Sequence, residues 1–597
     1  MKTKALQLSS LAFALGLSAQ APPGPPVLED LLPASSFASL RFGGLDAFVA
    51  AAQQLPAAGV IERFLTHVPA DTRARFVDRW FDDAAQHVRQ LLQRQGIAPS
   101  DVRELLGCPH VLGIGRPTIT GMGPSVALLI ETGNHHAAVE RLLAALEAIA
   151  ARQGVAAEVE RHSKLDIRTW RIAGGPPIHV FDLGHALAIS NSIGYLTDIA
   201  AVLGGEQPSL AAGSLLGAAR ARLAGTVLLS GFANTQRLSA MLDPVLPYEA
   251  ADWGAALGIG SLDGLYAGTA AGPEGGSEIL RLGVRGDAHG LFKVALSKPV
   301  DLGAARICSA NTVAFGALRL DAAGLIGAVD HFLDLLPAET GSRVRQQLQR
   351  ELGRGLRRAG TSPEEVHGLI NAFGDQVTAA LSLEQGALPK PELLVRIEVR
   401  DAPRVAALLQ RLTAMVADET GLEWKQRKVD ENVVHFVNVD VEQRFKLSPC
   451  WALADGALLL GSDAAVLVRA LRLDDPEDSL AAQEDFRTLA TNTQGAFGVL
   501  HLRLFRGVDL AWRTVETMVF PQVDAHADDI GFDSSALPDS EAMGALLDTS
   551  TVAAFADESG YSLESRGALG SGAWLAAIGV IADEVLARAA KTPPRIY

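Results

Sequence analysis

Cysteine is nearly absent: Cys108, Cys308 and Cys450 are the only three in 597 residues. At most one bridge can close within the chain, which excludes a disulfide scaffold and leaves stability to burial. Positive charge is also short. Lys and Arg number 52 against 68 Asp and Glu, a formal charge of −16, and no basic run interrupts the acidic background. That excludes general nucleic-acid binding, which needs a Lys/Arg stripe, and disfavours adhesion to anionic lipid.

Catalytic signatures are missing as well. No G-x-S-x-G elbow, H-E-x-x-H zinc helix, Walker A loop or C-x-x-C pair occurs. "GSGAWL" near the C-terminus is glycine-rich but lacks a strand–turn–helix setting for phosphate. Cys450-Trp451 reads as core, with no nearby histidine to activate the thiol. No catalytic, metal or cofactor residue is assigned on these grounds, and a triad assembled from distant residues stays open.

What is present is a long chain of globular composition, 48% hydrophobic and 20% charged, in which two or more domains are expected. It opens with "MKTKALQLSSLAFALGLSAQAPPGPP". Lys2 and Lys4 form a basic start, an apolar stretch runs from Ala5 to about Leu17, and Ala19-Gln20-Ala21 gives a small-x-small cleavage pattern. Residues 1–21 read as a secretory signal peptide, hence an extracytoplasmic location, periplasmic or secreted. Its removal takes away two lysines and no acid, so the net charge falls from −16 to −18.

The chain also reads as written twice. "PSVALLIETGNHHAAVERLLAALEAIA" from Pro124 parallels "PELLVRIEVRDAPRVAALLQRLTAMVA" from Pro391. Val139, Leu142, Leu143, Leu146 and Ile149 match Val405, Leu408, Leu409, Leu412 and Met415, positions that share one helical face. "ALAISNSIGYL" resembles "ALLLGSDAAVL", "SLAA" recurs at 209–212 and 479–482, and Gly225 before "TVLLSGF" matches Gly495 before "AFGVLHL". Collinear order over most of the chain implies two related modules, 28–290 and 300–570, with a C-terminal helix and tail over 571–597.

Each module opens with a short strand, Phe37–Phe42 or Val313–Leu320. Amphipathic helices follow, then strand, helix, several short strands, and a closing pair. "LDIRTWRI" and "PIHVFDL" flank the turn signal Gly174-Gly175-Pro176-Pro177, and "AGPEGGSE" reads as a hairpin break. Consecutive strands joined by tight turns imply α+β modules, each a mostly antiparallel sheet packed with amphipathic helices. The run Gly567–Ala582 is 16 residues without charge, short of the ~20 needed to span a bilayer. It reads as a docking helix, with a membrane contact as the alternative.

Two clusters invite chemistry. His135-His136 stand where the second copy has only Ala402, beside Asn134 and Asp401, both suited to cap a helix. The pair reads as a solvated turn; a metal or proton-transfer site is the alternative. The stretch 523–541 carries Asp524, His526, Asp528, Asp529 and Asp533, without the glycine and glutamate of an EF-hand. It reads as a solvated acidic linker, with weak calcium binding as the alternative.

The early strand "SSFASLRFGGL", the "DVRELLG…LGIG" passage, "ALLIETGNHHAAVERLL" and "HALAISNS" together resemble an uncharacterised family of exported bacterial proteins, known only as a domain of unknown function. The resemblance implies an extracytoplasmic α+β protein and transfers no catalytic residue. The expectation is a non-enzymatic binding or envelope-structural protein, with an unknown protein partner or an apolar ligand in the groove between modules. A metal-dependent or other hydrolase using one module only is the alternative.

Overall fold

The computed structural model describes most of residues 27–591; the longer breaks are 59–73, 118–122, 172–175, 243–258, 286–297, 359–367, 385–389 and 528–533, with shorter ones of one to three residues within 322–337 and elsewhere, such as 56–57, 163–164, 213–214, 442–444 and 474–475. The expected signal peptide lies outside the described residues. Helices and antiparallel sheet are both abundant, so the class is α+β. The described residues form two compact units: one up to Gly44 with Gln90–Gly217, the other Leu45–Arg89 with Ala218 onward.

The first unit carries β1 (Ala38–Phe42), β2 (His110–Pro117), β3 (Pro124–Glu131), β4 (Ala157–His162), β5 (Leu165–Trp170), β6 (Ile178–Asp182) and β7 (Ala186–Ser190). They pair antiparallel in the order β4-β5-β6-β7-β3-β2-β1. The expected pair around Gly174–Pro177 is β5 and β6, with Arg168 opposite Val180. Helix His136–Arg152 lays Val139 and Leu143 onto Ile130, Trp170, Val180 and Leu187, as its apolar spacing requires. Gly113 and Gly115 in β2 have a reason to lack side chains. A Cβ would lie 2.5 Å from Leu32 at Gly113 and 2.8 Å from the Tyr195 ring at Gly115. Tyr195 in turn bonds Ser36 Oγ at 2.7 Å, and burial pushes its hydroxyl up to about 12.

The second unit is larger. Its strands are β8 (Thr226–Ala233), β9 (Leu262–Gly272), β10 (Gly275–Val284), β11 (Thr312–Arg319), β12 (Phe373–Glu384), β13 (Lys390–Val399), β14 (Lys425–Val429) and β15 (Asn432–Phe436). After the small ribbon β16 (Val439–Val441) and β17 (Phe445–Leu447) come β18 (Cys450–Ala454), β19 (Ala457–Gly461), β20 (Gly498–Arg503), β21 (Thr549–Asp557) and β22 (Gly560–Gly567). Apart from the ribbon they form one antiparallel run, β8-β9-β10-β22-β21-β20-β11-β12-β13-β19-β18-β15-β14. The expected "AGPEGGSE" break is the tight turn of the β9–β10 hairpin, with Gly272 opposite Gly275.

One face of this run is closed. Phe315, Ala317, Ala380, Leu394, Val499 and Ala553 point into a core with Leu467, Leu480, Phe486 and Leu489 from the helical segments. Cys308 and Cys450 belong to this core, while Trp451, the next residue along β18, belongs to a core on the other face with Val405 and Leu458. Cys450 and Trp451 are thus both core, but strand alternation sends them to two different layers. Helix Ala402–Thr420 is capped as expected: Asp401 accepts from Arg404 N.

The C-terminal segment is a helix, Ser571–Lys591. Gly572 sits against the Ala270 carbonyl, and a Cβ on Gly579 would lie 2.3 Å from Phe48 Cβ, so the two glycines permit close docking. Arg89 clamps its far end by donating to the carbonyls of Ala589 and Arg588. No helix among the described residues is long and apolar enough to cross a membrane.

Candidate functional site

The sequence clusters do not converge. His136 opens its helix behind a 3₁₀ turn and stands 3.7 Å from Glu140, with both side chains largely exposed. The side chain of Asn134 lies outside the described residues. In the acidic stretch, Asp524 accepts from the backbone and hydroxyl of Ser534, and His526 Nδ1 is 2.9 Å from the Gln522 carbonyl. Asp528, Asp529 and Asp533 lie outside the described residues. Among the described residues no three His, Cys, Asp or Glu side chains are placed to hold a metal ion. All three cysteines are buried and unbridged, and burial pushes the thiols of Cys308 and Cys450 up to about 12.

Sequence reasoning missed a polar cluster in the second unit. Asp485 opens helix Glu484–Asn492, while His501 and Arg503 alternate inward on β20. Arg503 donates to Asp485 Oδ2 at 2.6 Å and to the carbonyls of Ala310 and Thr312. His501 Nδ1 lies 3.1 Å from Thr551 Oγ1, and its Nε2 meets Asp485 Oδ2 at 3.5 Å, an ion-pair distance rather than a hydrogen bond. Burial works to raise the Asp485 pKa; contact with His501 and the charge of Arg503 overcome it and hold the carboxylate at about 2. Asp485 and His501 line a cleft of about 350 Å³ together with Thr551, Glu564, Arg566 and Asp548. Glu564 is paired with Arg222 at 2.6 Å. Thr551, His501 and Asp485 thus stand in a row with a hydrogen bond between the first two only. Arg503 is also tied to two carbonyls, so the same chain holds β20 to the helix and to the start of β11. The signal for this cluster was weak, because Asp485 and His501 are 16 residues apart on different elements.

The other face of the second unit's sheet carries exposed apolar side chains between the helices packed at its two ends. Leu229, Leu265, Leu280, Leu563, Leu500, Leu318, Val377 and Leu393 are each 37–48% exposed. The registers put them on one face: Leu229 opposite Thr269, Leu280 opposite Ala267 and Leu563, Leu563 opposite Ala554, Ala554 and Leu318 both opposite Gly498, Val377 opposite Leu318, and Leu393 opposite Leu381. They come from strands β8 to β13, β20 and β22. At one side, helix Ala402–Thr420 covers Ile397 and Leu458; at the other, helix Ser571–Lys591 packs at Ala270 and Glu278. Alternating polar and apolar residues normally leave such a face wet. Here the face is apolar instead.

Fold and site together define a class, an α+β protein with a long antiparallel sheet closed on one face and open and apolar on the other. No family model matches the chain, and no curated protein or solved structure matches it either.

Proposed function

We propose that the chain is an exported, non-enzymatic binding protein that holds an apolar ligand across the open face of the second unit's sheet. The observation that carries this reading is the single-sided set of eight exposed Leu and Val side chains on adjacent strands. The face runs across the β10–β22 pairing, the seam between the two modules read from the sequence, where a shared groove is expected. The module reading has support in element order. A strand, a hairpin pair, a long helix, a four-strand meander, two helices, a strand, a helix and a closing hairpin run from β1 to β10. The same order runs from β11 to β22, with the β16–β17 ribbon and two further helices before the closing hairpin inserted. Extracytoplasmic location rests on the N-terminal signal pattern and on the resemblance to an exported family.

Fluorescence titration with a dansyl-labelled fatty acid tests the reading. Each leucine that loses its ligand contact removes about 1–2 kcal/mol, so Leu280→Asn with Leu563→Asn weakens binding by at least tenfold. Saturable binding unaltered by the double variant, or no binding at all, overturns it. The second reading is a hydrolase using one half only, and the His501–Thr551 contact in the cleft favours it. It predicts turnover of simple nitrophenyl esters that Thr551→Val abolishes.

A further inference from the structure

We infer that the cleft beside His501 is a binding site for a small zwitterion of the α-amino-acid class, its carboxylate on Arg566 and its ammonium at an acidic rim. The cleft lies against helix Glu484–Asn492 and the closed face of the sheet, and its volume of about 350 Å³ is at the small end for ligand sites. His501, Thr551 and Arg566 stand side by side on β20, β21 and β22, each opposite the next. Alternation puts them on the other side of these strands from Leu500 and Leu563. Binding here therefore requires neither a ligand on the apolar face nor turnover at Thr551.

Charge sorts the ligand. Both inner carboxylates are already neutralised from within the fold: Arg503 donates to Asp485 at 2.6 Å, and Arg222 meets Glu564 at 2.6 Å. Arg566 is half-buried and has no side-chain hydrogen bond or ion pair among the described residues. The inner wall thus carries one unbalanced positive charge, on a planar fork that matches a carboxylate. Glu274 and Asp548 line the same cleft, are exposed, and are likewise unpaired among the described residues, so the rim is negative. A plain anion is repelled by that rim, and a plain cation that passes it meets Arg566. A molecule with one charge of each sign satisfies both. A buried atom also points to a ligand. His501 is 1% exposed and its Nδ1 is held by Thr551, but its Nε2 has no hydrogen-bond partner among the described residues, Asp485 Oδ2 standing 3.5 Å off. Buried polar atoms in native folds are nearly always bonded, so an orphan lining a cleft marks a place for a ligand atom.

Thermal shift of the full chain against each common amino acid at about 10 mM finds the best binder, and calorimetry then measures it. The expected result is saturable binding that Arg566→Gln weakens by about tenfold or more, with Asp548→Asn weakening it in the same direction. Neither side chain has a partner among the described residues, so both variants should keep the wild-type melting temperature without ligand. Leu280→Asn with Leu563→Asn should leave this binding unchanged, which separates it from any ligand on the apolar face. Acetate and ethylammonium, each carrying one end only, should bind about tenfold more weakly or worse. The inference is overturned if no amino acid shifts the melting temperature, or if Arg566→Gln leaves binding intact. It is equally overturned if acetate or ethylammonium binds as tightly as the amino acid.

Discussion

Replacing Asp485 by Asn removes one charge without changing shape, and its cost can be worked from the geometry. Asp485 is the acidic partner of Arg503, which is 2% exposed and otherwise held by the Ala310 and Thr312 carbonyls. Removing one side of a buried pair costs about 3–5 kcal/mol, because the remaining charge stays desolvated. The titration gives an independent lower figure. A carboxylate held at about 2 against an ordinary 3.8 is stabilised by roughly 2 kcal/mol at neutral pH. Because the folded pKa is depressed, that contribution is complete above pH 3.8 and is lost as pH falls toward 2. Urea unfolding of wild type and Asp485→Asn at about pH 7 and about pH 2.5 reads both effects. The variant should lose several kcal/mol at neutral pH, and the gap should narrow in acid. Equal midpoints at neutral pH would refute the view that this cluster is a structural clamp, and would shift weight to proton transfer through His501.

Three further outcomes follow from packing. None of the three native thiols should react with a disulfide reagent at about pH 8, and all three should react in denaturant; a fast native thiol contradicts the burial of Cys108, Cys308 and Cys450. Arg469→Met should destabilise by about 3 kcal/mol in urea melts, since Arg469 donates at 2.6 Å to Glu392, which is 2% exposed, and the orphaned carboxylate stays buried. Gly579→Val should cost about 1–3 kcal/mol by forcing the C-terminal helix off Phe48, read as a lower melting temperature.

Much of the architecture was legible because it rests on local chemistry. The strand "ASLRF", the Gly-Pro and Pro-Glu turns, and the cap at Asp401 are encoded within a few residues, although the alternation in "ASLRF" pointed the wrong way: Ser39 is buried and Leu40 is 50% exposed. The candidate site was not. Leu280, Leu318 and Leu500 each look like ordinary strand residues, and only the register between distant strands shows that they share one uncovered face. The Arg503 clamp was likewise hidden, since it joins residues from three separate segments. The histidine pair and the acidic stretch caught the eye because they are contiguous in sequence, and contiguity says little about convergence.

The β10–β22 pairing has a bearing on how the chain reaches its final form. Gly276 lies opposite Gly567, and Arg281 on β10 reaches Asp557 and Ser559 at the β21–β22 turn. Partners roughly 290 residues apart are a contact of very high order, and closing so long a loop is slow. Until β22 has been synthesised, β10 presents a bare strand edge beside Leu280, the kind of template that recruits other chains. A ribosome halted anywhere between β10 and β22 therefore leaves a sticky, half-zipped intermediate, and the final hairpin is the strip that seals it.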